Sequence, residues 1–344
     1  LAQDTKVLFT AKDGFSYNRT HILAQGLETL EQAPQFYKIP ERSAQYGAVL
    51  RELSLEADLV YVPPFRHRDL SFIRKYAQAP VIFDPLISRY LTKVVDYGHY
   101  WKAPQKWLID YRDFRNCDLL LADTQLHLDY FKKKFFLPSS LASAVLPIGV
   151  DLDNYQASFP KSTGPLKVGF YGSFVPLQGV LKIIEALALI KEEKDLEFTI
   201  IGTGYQYKEA RQLASRKGLN DSIFKGWVNY DDLATELSRI DLGLGVFGNS
   251  LKTDLVVPNK LYHYAALGKG ILTKNSPGAQ EVFQDRETMG TSSTKPIDIA
   301  EKILYYRDNR MELIRIARNA RQLMEDQYSH AAIAQKFLSF QKLL

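Results

Sequence analysis

The chain has 344 residues, 46% of them hydrophobic and 24% charged, which are values of an ordinary globular protein and exclude a disordered one. The length favours two domains, each able to bury its own core. The net charge of +5 is spread over both halves, which excludes the one-sided basic surface of a nucleic-acid-binding protein.

Cys117 is the only cysteine, so an internal disulfide and a cysteine-cluster metal site are excluded, and a reducing, cytoplasmic setting is expected. No stretch reaches the roughly 18 uninterrupted apolar residues of a membrane-spanning helix.

In chain order, Lys6 to Thr10 reads as a buried strand, followed by a loop with Gly14 and a helix from Asn18 to Glu31. Ala57 to Val62, Pro80 to Phe83 and Asp118 to Ala122 read as further strands, with helices at Leu70 to Ala77 and Pro104 to Arg115. Asp151 to Pro165 is rich in Asp, Asn, Ser, Pro and Gly and reads as a linker. The alternation then restarts: strands Lys167 to Tyr171, Glu197 to Ile201, Ile223 to Phe224, Leu242 to Val246 and Gly270 to Thr273. Helices are expected at Gly179 to Lys191, Tyr207 to Lys217, Asp231 to Ser238 and Asn259 to Leu267, with a last one at Ser329 to Leu343. Tandem strand–helix arrays predict an α/β protein of two parallel-sheet domains. We expect an N-terminal domain over 1–158, a C-terminal domain over 159–328, and a terminal helix over 329–344 that packs back on the first domain.

Ligands of open α/β sheets bind beyond the carboxyl ends of the strands, so the loops after each strand are the candidates. Gly172 and Ser173 follow one strand, and Gly202 and Gly204 follow the next. Glycine lets backbone approach a phosphate, and a helix start offers free N–H groups; a tight turn that binds nothing is the alternative. The pair Gly202 and Gly204 lacks the third glycine of a dinucleotide fingerprint, so NAD is disfavoured. Further on, a loop carrying Lys252 leads to Pro258-Asn259-Lys260, a helix start at which a lysine can hold a diphosphate. Asp84 ends a strand, either pointing to the ligand side or capping a helix. Asn18 and Arg19 open the first helix, where both meet an acceptor phosphate or Arg19 stands as an exposed first-turn residue. The six histidines show no metal-ligand spacing and no Asp-x-Asp stands out, so no metal is expected. Gly-x-Ser-x-Gly is also absent.

The set GFYGSFVPLQGVLKIIEAL at Gly169 to Leu187, FTIIGTGYQYKEA at Phe198 to Ala210, FKGWVNYDDL at Phe224 to Leu233, LGVFGNS at Leu244 to Ser250 and PNKLYHYAALGKGILT at Pro258 to Thr273 resembles the donor-binding domain of the GT-B glycosyltransferases of family 4. The likeness is to bacterial members from surface-polysaccharide clusters. LLLADT at Leu119 to Thr124 and LPIGVD at Leu146 to Asp151 resemble the end of the family's acceptor-binding domain. The resemblance implies two Rossmann-like domains facing each other across a cleft. It implies transfer of a sugar, with retention, from a nucleotide diphosphate sugar to a glycan or lipid-linked acceptor, without a cofactor. Gly172 and Ser173 would lie against the donor diphosphate, Trp227 and Val228 would flank the nucleobase, Lys252 and Lys260 would neutralise phosphate charge, and Asn259 would bond phosphate or sugar. Departures are visible: many relatives carry arginine and lysine where Ser173 and Gln178 stand, and two glutamates where Leu255 and His263 stand. They also place a histidine where Phe83 stands, before Asp84. A nucleotide-sugar epimerase, or a catalytically silent homologue that binds nucleotide or glycan, is the competing reading.

Tyr97 to Arg115 interleaves aromatic and basic residues. Trp107, Tyr111 and Phe114 fall on one helical stripe, which either packs in the core or faces out. Tyr100, Trp101, Lys102 and Lys106, with Lys132-Lys133-Lys134, suit peripheral contact with an anionic membrane, placing the protein at the membrane's inner face.

Overall fold

The apolar runs read as strands are buried because helices cover them on both faces. The computed structural model describes residues 5–344. The chain divides into two compact units, one formed by the residues up to Gly149 together with Gln327–Leu344, the other by Val150–Asp326.

The first unit runs β1 (Val7–Ala11), α1 (Asn18–Thr29), β2 (Gln35–Lys38), α2 (Ala44–Leu55), β3 (Leu59–Val62), α3 (His67–Tyr76), β4 (Val81–Phe83), α4 (Ala103–Asp113), β5 (Leu119–Ala122), α5 (Gln125–Lys134) and β6 (Ala142–Val145). Its sheet is wholly parallel, in the order β2-β1-β3-β4-β5-β6. Every residue of β3, β4 and β5 is buried, the pattern of parallel strands covered on both faces. The strand order reverses between β1 and β3, which makes that edge the switch point of the unit.

The second unit runs β7 (Leu166–Tyr171), α6 (Val180–Leu189), β8 (Leu196–Ile201), α7 (Tyr207–Arg216), β9 (Phe224–Gly226), α8 (Tyr230–Ser238), β10 (Leu242–Leu244), α9 (Leu251–Leu255), α10 (Asn259–Ala266), β11 (Gly270–Lys274), α11 (Pro277–Gln280), β12 (Gly290–Ser292), α12 (Pro296–Asp308) and α13 (Arg310–Leu323). The parallel order β12-β11-β10-β7-β8-β9 is that of the dinucleotide-binding fold, with its switch point between β7 and β10. On α6, Val180, Ile183, Ile184 and Leu187 form the buried stripe that an amphipathic crossover helix requires.

Sequence reasoning did not mark β2, α2, α5 or β6 in the first unit, nor α9, α11, β12, α12 and α13 in the second. In β2 most positions are exposed, so this edge strand carries no buried run to read. The helix expected to reach Glu31 stops at Thr29, because Glu31 takes a φ of 60° that no right-handed helix continues. Residues 151–165 contain no helix or strand.

The last helix, α14 (His330–Leu338), packs on α1 within the first unit. The two helices meet at Gly26, where an added Cβ would stand 2.0 Å from the His330 carbonyl oxygen. Backbone meets backbone there, so a side chain forces the helices apart. Gly26→Ala is therefore expected to destabilise the protein by about 1–3 kcal/mol, the usual range for overpacking, measured by chemical unfolding. An unchanged unfolding midpoint would show that α14 moves without cost.

Candidate functional site

At the β7/β10 switch point two glycine loops lie in backbone contact. Gly172, just after β7, has φ 146°, and Gly202, just after β8, has φ 121°. An added Cβ on Gly202 would fall 2.1 Å from the Gly172 carbonyl oxygen, so no other residue fits. The amides of both glycines are already used: Gly172 N–H donates to Ile201 O at 3.0 Å and Gly202 N–H to Gly226 O at 2.7 Å. The glycines therefore bring the loops close rather than offer their own amides to a ligand. Gly204 serves the same end, lying against the Phe174 backbone, while Ser173 stands exposed on the loop.

Beneath Gly172 sits the Lys260 ammonium. Lys260 follows Asn259 in the first turn of α10, a helix for which Pro258 serves as N-cap in extended backbone. The side chain is only 3% exposed. Its Nζ lies 3.7 Å from the centroid of the Phe170 ring and 5.7 Å from that of Tyr171, a cation–π seat. Its one hydrogen bond is a long one, 3.4 Å to Gly245 O. A Cβ on Gly172 would stand 3.1 Å from Nζ and 3.5 Å from Gln178 Oε1, and Gln178 Oε1 is itself buried without a hydrogen-bond partner. Burial holds the Lys260 amine well below its ordinary value, with no carboxylate acting against it. Lys269 makes the contrast, since its Nζ bonds Ser158 O, Ser158 Oγ at 2.9 Å and Ser238 O at 2.6 Å. Lys269 is satisfied by its own chain, and Lys260 is not.

His263, one turn further along α10, is stacked between Tyr155 at 4.8 Å and Tyr171 at 5.9 Å between ring centroids. Its Nδ1 lies 2.6 Å from Tyr171 Oη, and burial pushes the imidazole down to about 3, so the ring is neutral. With the Tyr171 hydroxyl donating to Nδ1, the tautomer carries its proton on Nε2, an atom that is buried without a partner. Tyr155 and Tyr171 were not foreseen; the position of Tyr171 immediately before Gly172 was the available signal.

Beside the glycine loops is a recess of about 180 Å³ lined by Tyr171, Gly172, Ser173, Ile201, Gly202, Trp227, Val228, Tyr230 and Leu233. Trp227 is 72% exposed, so it is a rim residue and not a core tryptophan. Lys252 is buried on the five-residue α9, and Asn259 is half-buried.

In the first unit, Asp84 follows β4 and is fully buried. It caps no helix. It accepts hydrogen bonds from Arg19 Nε and from Tyr61 Oη at 2.8 Å. Arg19 is 1% exposed, which overturns its reading as an exposed first-turn residue. Asn18, beside it, is half-buried. On α4 the stripe resolves inward: Phe114 belongs to the core and Trp107 and Tyr111 pack against it. Tyr100 and Trp101 remain more than two-thirds exposed, as does Phe136, and Lys132 and Lys133 are exposed as well.

Two Rossmann-like domains with these sheet orders define the GT-B class of fold. Residues 182–339 match the family model described as "Glycosyl transferase-like". The uncharacterized glycosyltransferase YqgM of Bacillus subtilis is 26% identical over 131 residues, a stretch that covers 38% of this chain and 34% of that relative. Among solved structures, HepE of Anabaena in complex with UDP and glucose superposes with a TM-score of 0.74 at 16% identity, covering 99% of this chain and all of HepE. Sucrose-phosphate synthase of Thermosynechococcus elongatus gives a TM-score of 0.75 at 11% identity, covering 98% of each chain. At those identities the likeness is one of fold.

A buried lysine with a depressed value is protonated more fully in the unfolded chain than in the folded one, so its contribution to stability rises with pH up to the ordinary lysine value of 10.5. Lys260→Met removes that dependence. The variant, without ligand, is expected to be at least as stable as the parent near neutral pH, and the difference should shrink as pH is raised. Urea unfolding between pH 6 and 9.5 measures it, and a variant less stable at neutral pH would assign Lys260 a structural role.

Proposed function

We propose that the chain is a glycosyltransferase that takes a sugar from a nucleotide diphosphate sugar held in the second unit. The observation that carries this reading is the Lys260 amine, buried at the β7/β10 switch point under Gly172 with no anion beside it among the described residues. A diphosphate above Gly172 and Ser173 supplies the missing charge. Lys252 adds to it, Asn259 bonds phosphate or sugar, and His263 donates from Nε2 to a donor oxygen. The nucleobase lies in the recess against Trp227 and Val228, with Gly202 and Gly204 shaping its wall. As the nucleoside diphosphate departs, negative charge grows on the oxygens that Lys260 faces, so the ammonium acts most strongly in the transition state. We assign charge neutralisation to lysines, without a metal or cofactor, and stereochemical retention, with the donor phosphate taking the proton of the incoming hydroxyl. Asp84, with Arg19 and Tyr61, is proposed to hold the acceptor-side loops rather than to meet substrate, because it is fully buried.

The acceptor is proposed to be a glycan or lipid-linked sugar of a cell-surface polysaccharide. Tyr100, Trp101, Lys102, Phe136, Lys132 and Lys133 form the surface we propose to dock on an anionic membrane on the cytoplasmic side, each basic residue contributing about 1 kcal/mol. Sedimentation with anionic vesicles at low salt should show binding that charge reversal at Lys102 and Lys132 weakens. No sedimentation with anionic vesicles at low salt would remove the membrane from the proposal, and binding unaffected by charge reversal would remove its basic contacts.

A thermal-shift panel of UDP-, GDP-, dTDP- and CMP-sugars tests the donor. A ligand at 100 times its dissociation constant stabilises by about 2.7 kcal/mol. The complexes of HepE with UDP put UDP-sugars first in the panel. Nucleoside diphosphate released only when acceptor is supplied shows transfer. Binding without release favours the silent homologue, a reading that the uncharged Ser173 and Gln178 support.

Two variants locate the donor. Lys260→Met should weaken nucleoside diphosphate binding by roughly ten- to a hundredfold, the value of a charge-assisted contact. It should also abolish the proton uptake that binding imposes on a depressed lysine, read as a buffer-dependent enthalpy in calorimetry. Trp227→Ala should weaken binding by about 1–3 kcal/mol if the base stacks there, with little change in the melting temperature of the free protein because the ring is exposed. A large loss of stability in the free protein would contradict the rim placement.

A further inference from the structure

In the first unit, the loops after β3 and β4 enclose a recess of about 160 Å³ lined by Phe65, His67, Ile87, Arg89, Thr92, Lys93 and Lys106. Like the donor recess, it lies beyond the carboxyl ends of parallel strands, the ligand side of such a sheet. Its walls come from five segments: the loop after β3, the start of α3, the loop after β4, the π-helical turn Leu91–Asp96 and the first half of α4.

The charge around it is one-sided. Arg89, Lys93 and Lys106 line the recess, and none of them makes an ion pair within 4.0 Å among the described residues. Arg68 and Arg66 lie near enough to be felt. Burial lowers the Arg89 guanidinium, Asp110 opposes that, and Arg68 and Arg66 add to it. Burial lowers Lys106 as well, with Arg89, Lys102 and Arg68 acting in the same sense against Asp110.

The acidic residues offer little compensation. Asp110 is fully buried and engaged, accepting from Ser88 Oγ at 2.7 Å, Tyr90 N at 2.8 Å and Arg89 N at 3.1 Å. Burial raises its carboxyl to about 7, so near neutrality it is only partly ionised. Asp113 is taken by Arg112 at 3.0 Å, and Asp13 is exposed, 3.9 Å from Arg66.

Two further features point to an anion. Thr92, 9% exposed, lines the recess with its Oγ1 buried and without a hydrogen-bond partner. The ten-residue α3 begins at His67 in the wall of the recess, with no side chain capping its N-terminus, so the positive end of the helix adjoins the recess, offset by the Asp69 carboxylate in its first turn and with the Asp69 N–H already donating to Arg66 O at 2.9 Å. His67 is held neutral, pushed down to about 3 chiefly by burial and then by Arg89.

We propose that this recess binds a phosphate group of the acceptor, with Arg89 and Lys106 as its charged contacts and Thr92 Oγ1 as a hydrogen-bond donor. A guanidinium and an ammonium with a hydroxyl are a set that phosphate oxygens take. The acceptor is then a phosphate-bearing sugar or carrier. This assignment of the ligand to the acceptor rests on the glycosyltransferase reading; the anion site itself does not.

The test is calorimetric titration of the intact protein with inorganic pyrophosphate, after the second unit has been saturated with UDP. The expected result is a binding event that Arg89→Gln and Lys106→Gln each weaken at least tenfold and Lys260→Met leaves unchanged, while UDP affinity and melting temperature of the two first-unit variants stay at the parent values. Pyrophosphate binding unaffected by Arg89→Gln and Lys106→Gln, or present only without UDP, overturns the site. If UDP fails to bind at all, the same titration without UDP still separates the two sites through Lys260→Met. Anionic phosphatidylglycerol vesicles form the second arm and are expected not to displace pyrophosphate. Displacement would give the site to a lipid headgroup and overturn its assignment to the acceptor.

Discussion

A lysine amine taken out of water without a counter-charge among the described residues is the constraint around which the second unit is arranged. Stripping a lone ion of its water costs several kcal/mol even after relaxation, and Lys260 recovers only part of this from the Phe170 face and one long bond to Gly245 O. The surroundings explain why that deficit is kept. Gly172 leaves the space above Nζ open, since any side chain there would stand against the amine. Gly202 is required in turn because Gly172 O occupies the position of its Cβ. Both glycines are thus consequences of keeping a buried cation reachable from one side. In the proposed site a diphosphate would draw a proton onto an amine already held in position, because burial alone keeps that amine below its ordinary value.

The sequence carries the local half of this arrangement openly. Strand, glycine and helix start are neighbours in the chain, so Gly172, Gly202 and Lys260 could be marked from pattern alone. What decides their roles is not local. The Phe170 seat of Lys260 lies 90 residues upstream in the chain, and the glycine amides turn out to be engaged by neighbouring strands rather than free. Asp84 could be placed at a strand end, yet its partners Arg19 and Tyr61 come from α1 and β3. A buried ion pair of this kind looks in sequence like two surface charges. Arg89, Lys93 and Lys106 show the same limit, because no glycine or fixed spacing marks a recess assembled from separate elements. β2 was hidden for the opposite reason, being an edge strand without a buried run.

The two units handle charge in different ways at equivalent places, the ends of parallel strands. In the first unit the buried Asp84 after β4 is paired with Arg19 of α1 and reinforced by Tyr61. Removing either partner would strand the other in the core, which for buried pairs typically costs 3–5 kcal/mol, so the pair is a fixed part of the scaffold. The cations around the neighbouring recess are unpaired, as Lys260 is. Paired charge fixes loops, whereas charge unpaired among the described residues is where we propose that ligands bind, a difference that composition alone does not reveal.

Histidine contributes no charge at either place. His263 beside the donor recess and His67 in the wall of the first-unit recess are both pushed down to about 3, chiefly by burial, so each is neutral throughout the physiological range and acts only through hydrogen bonds. Asp110 moves the other way, to about 7. A carboxyl whose folded value lies above its unfolded value is destabilising once ionised, and that penalty builds as pH rises from the ordinary value of 3.8 through 7. Below that range Asp110 is neutral and the recess is at its most cationic. Above it, the carboxylate offsets part of the charge of Arg89 and Lys106. Positive potential in the first unit therefore weakens across neutrality through a group that contacts no ligand, while in the second it depends on whether Lys260 holds its proton. In both units the charge that would meet an anion is governed by burial.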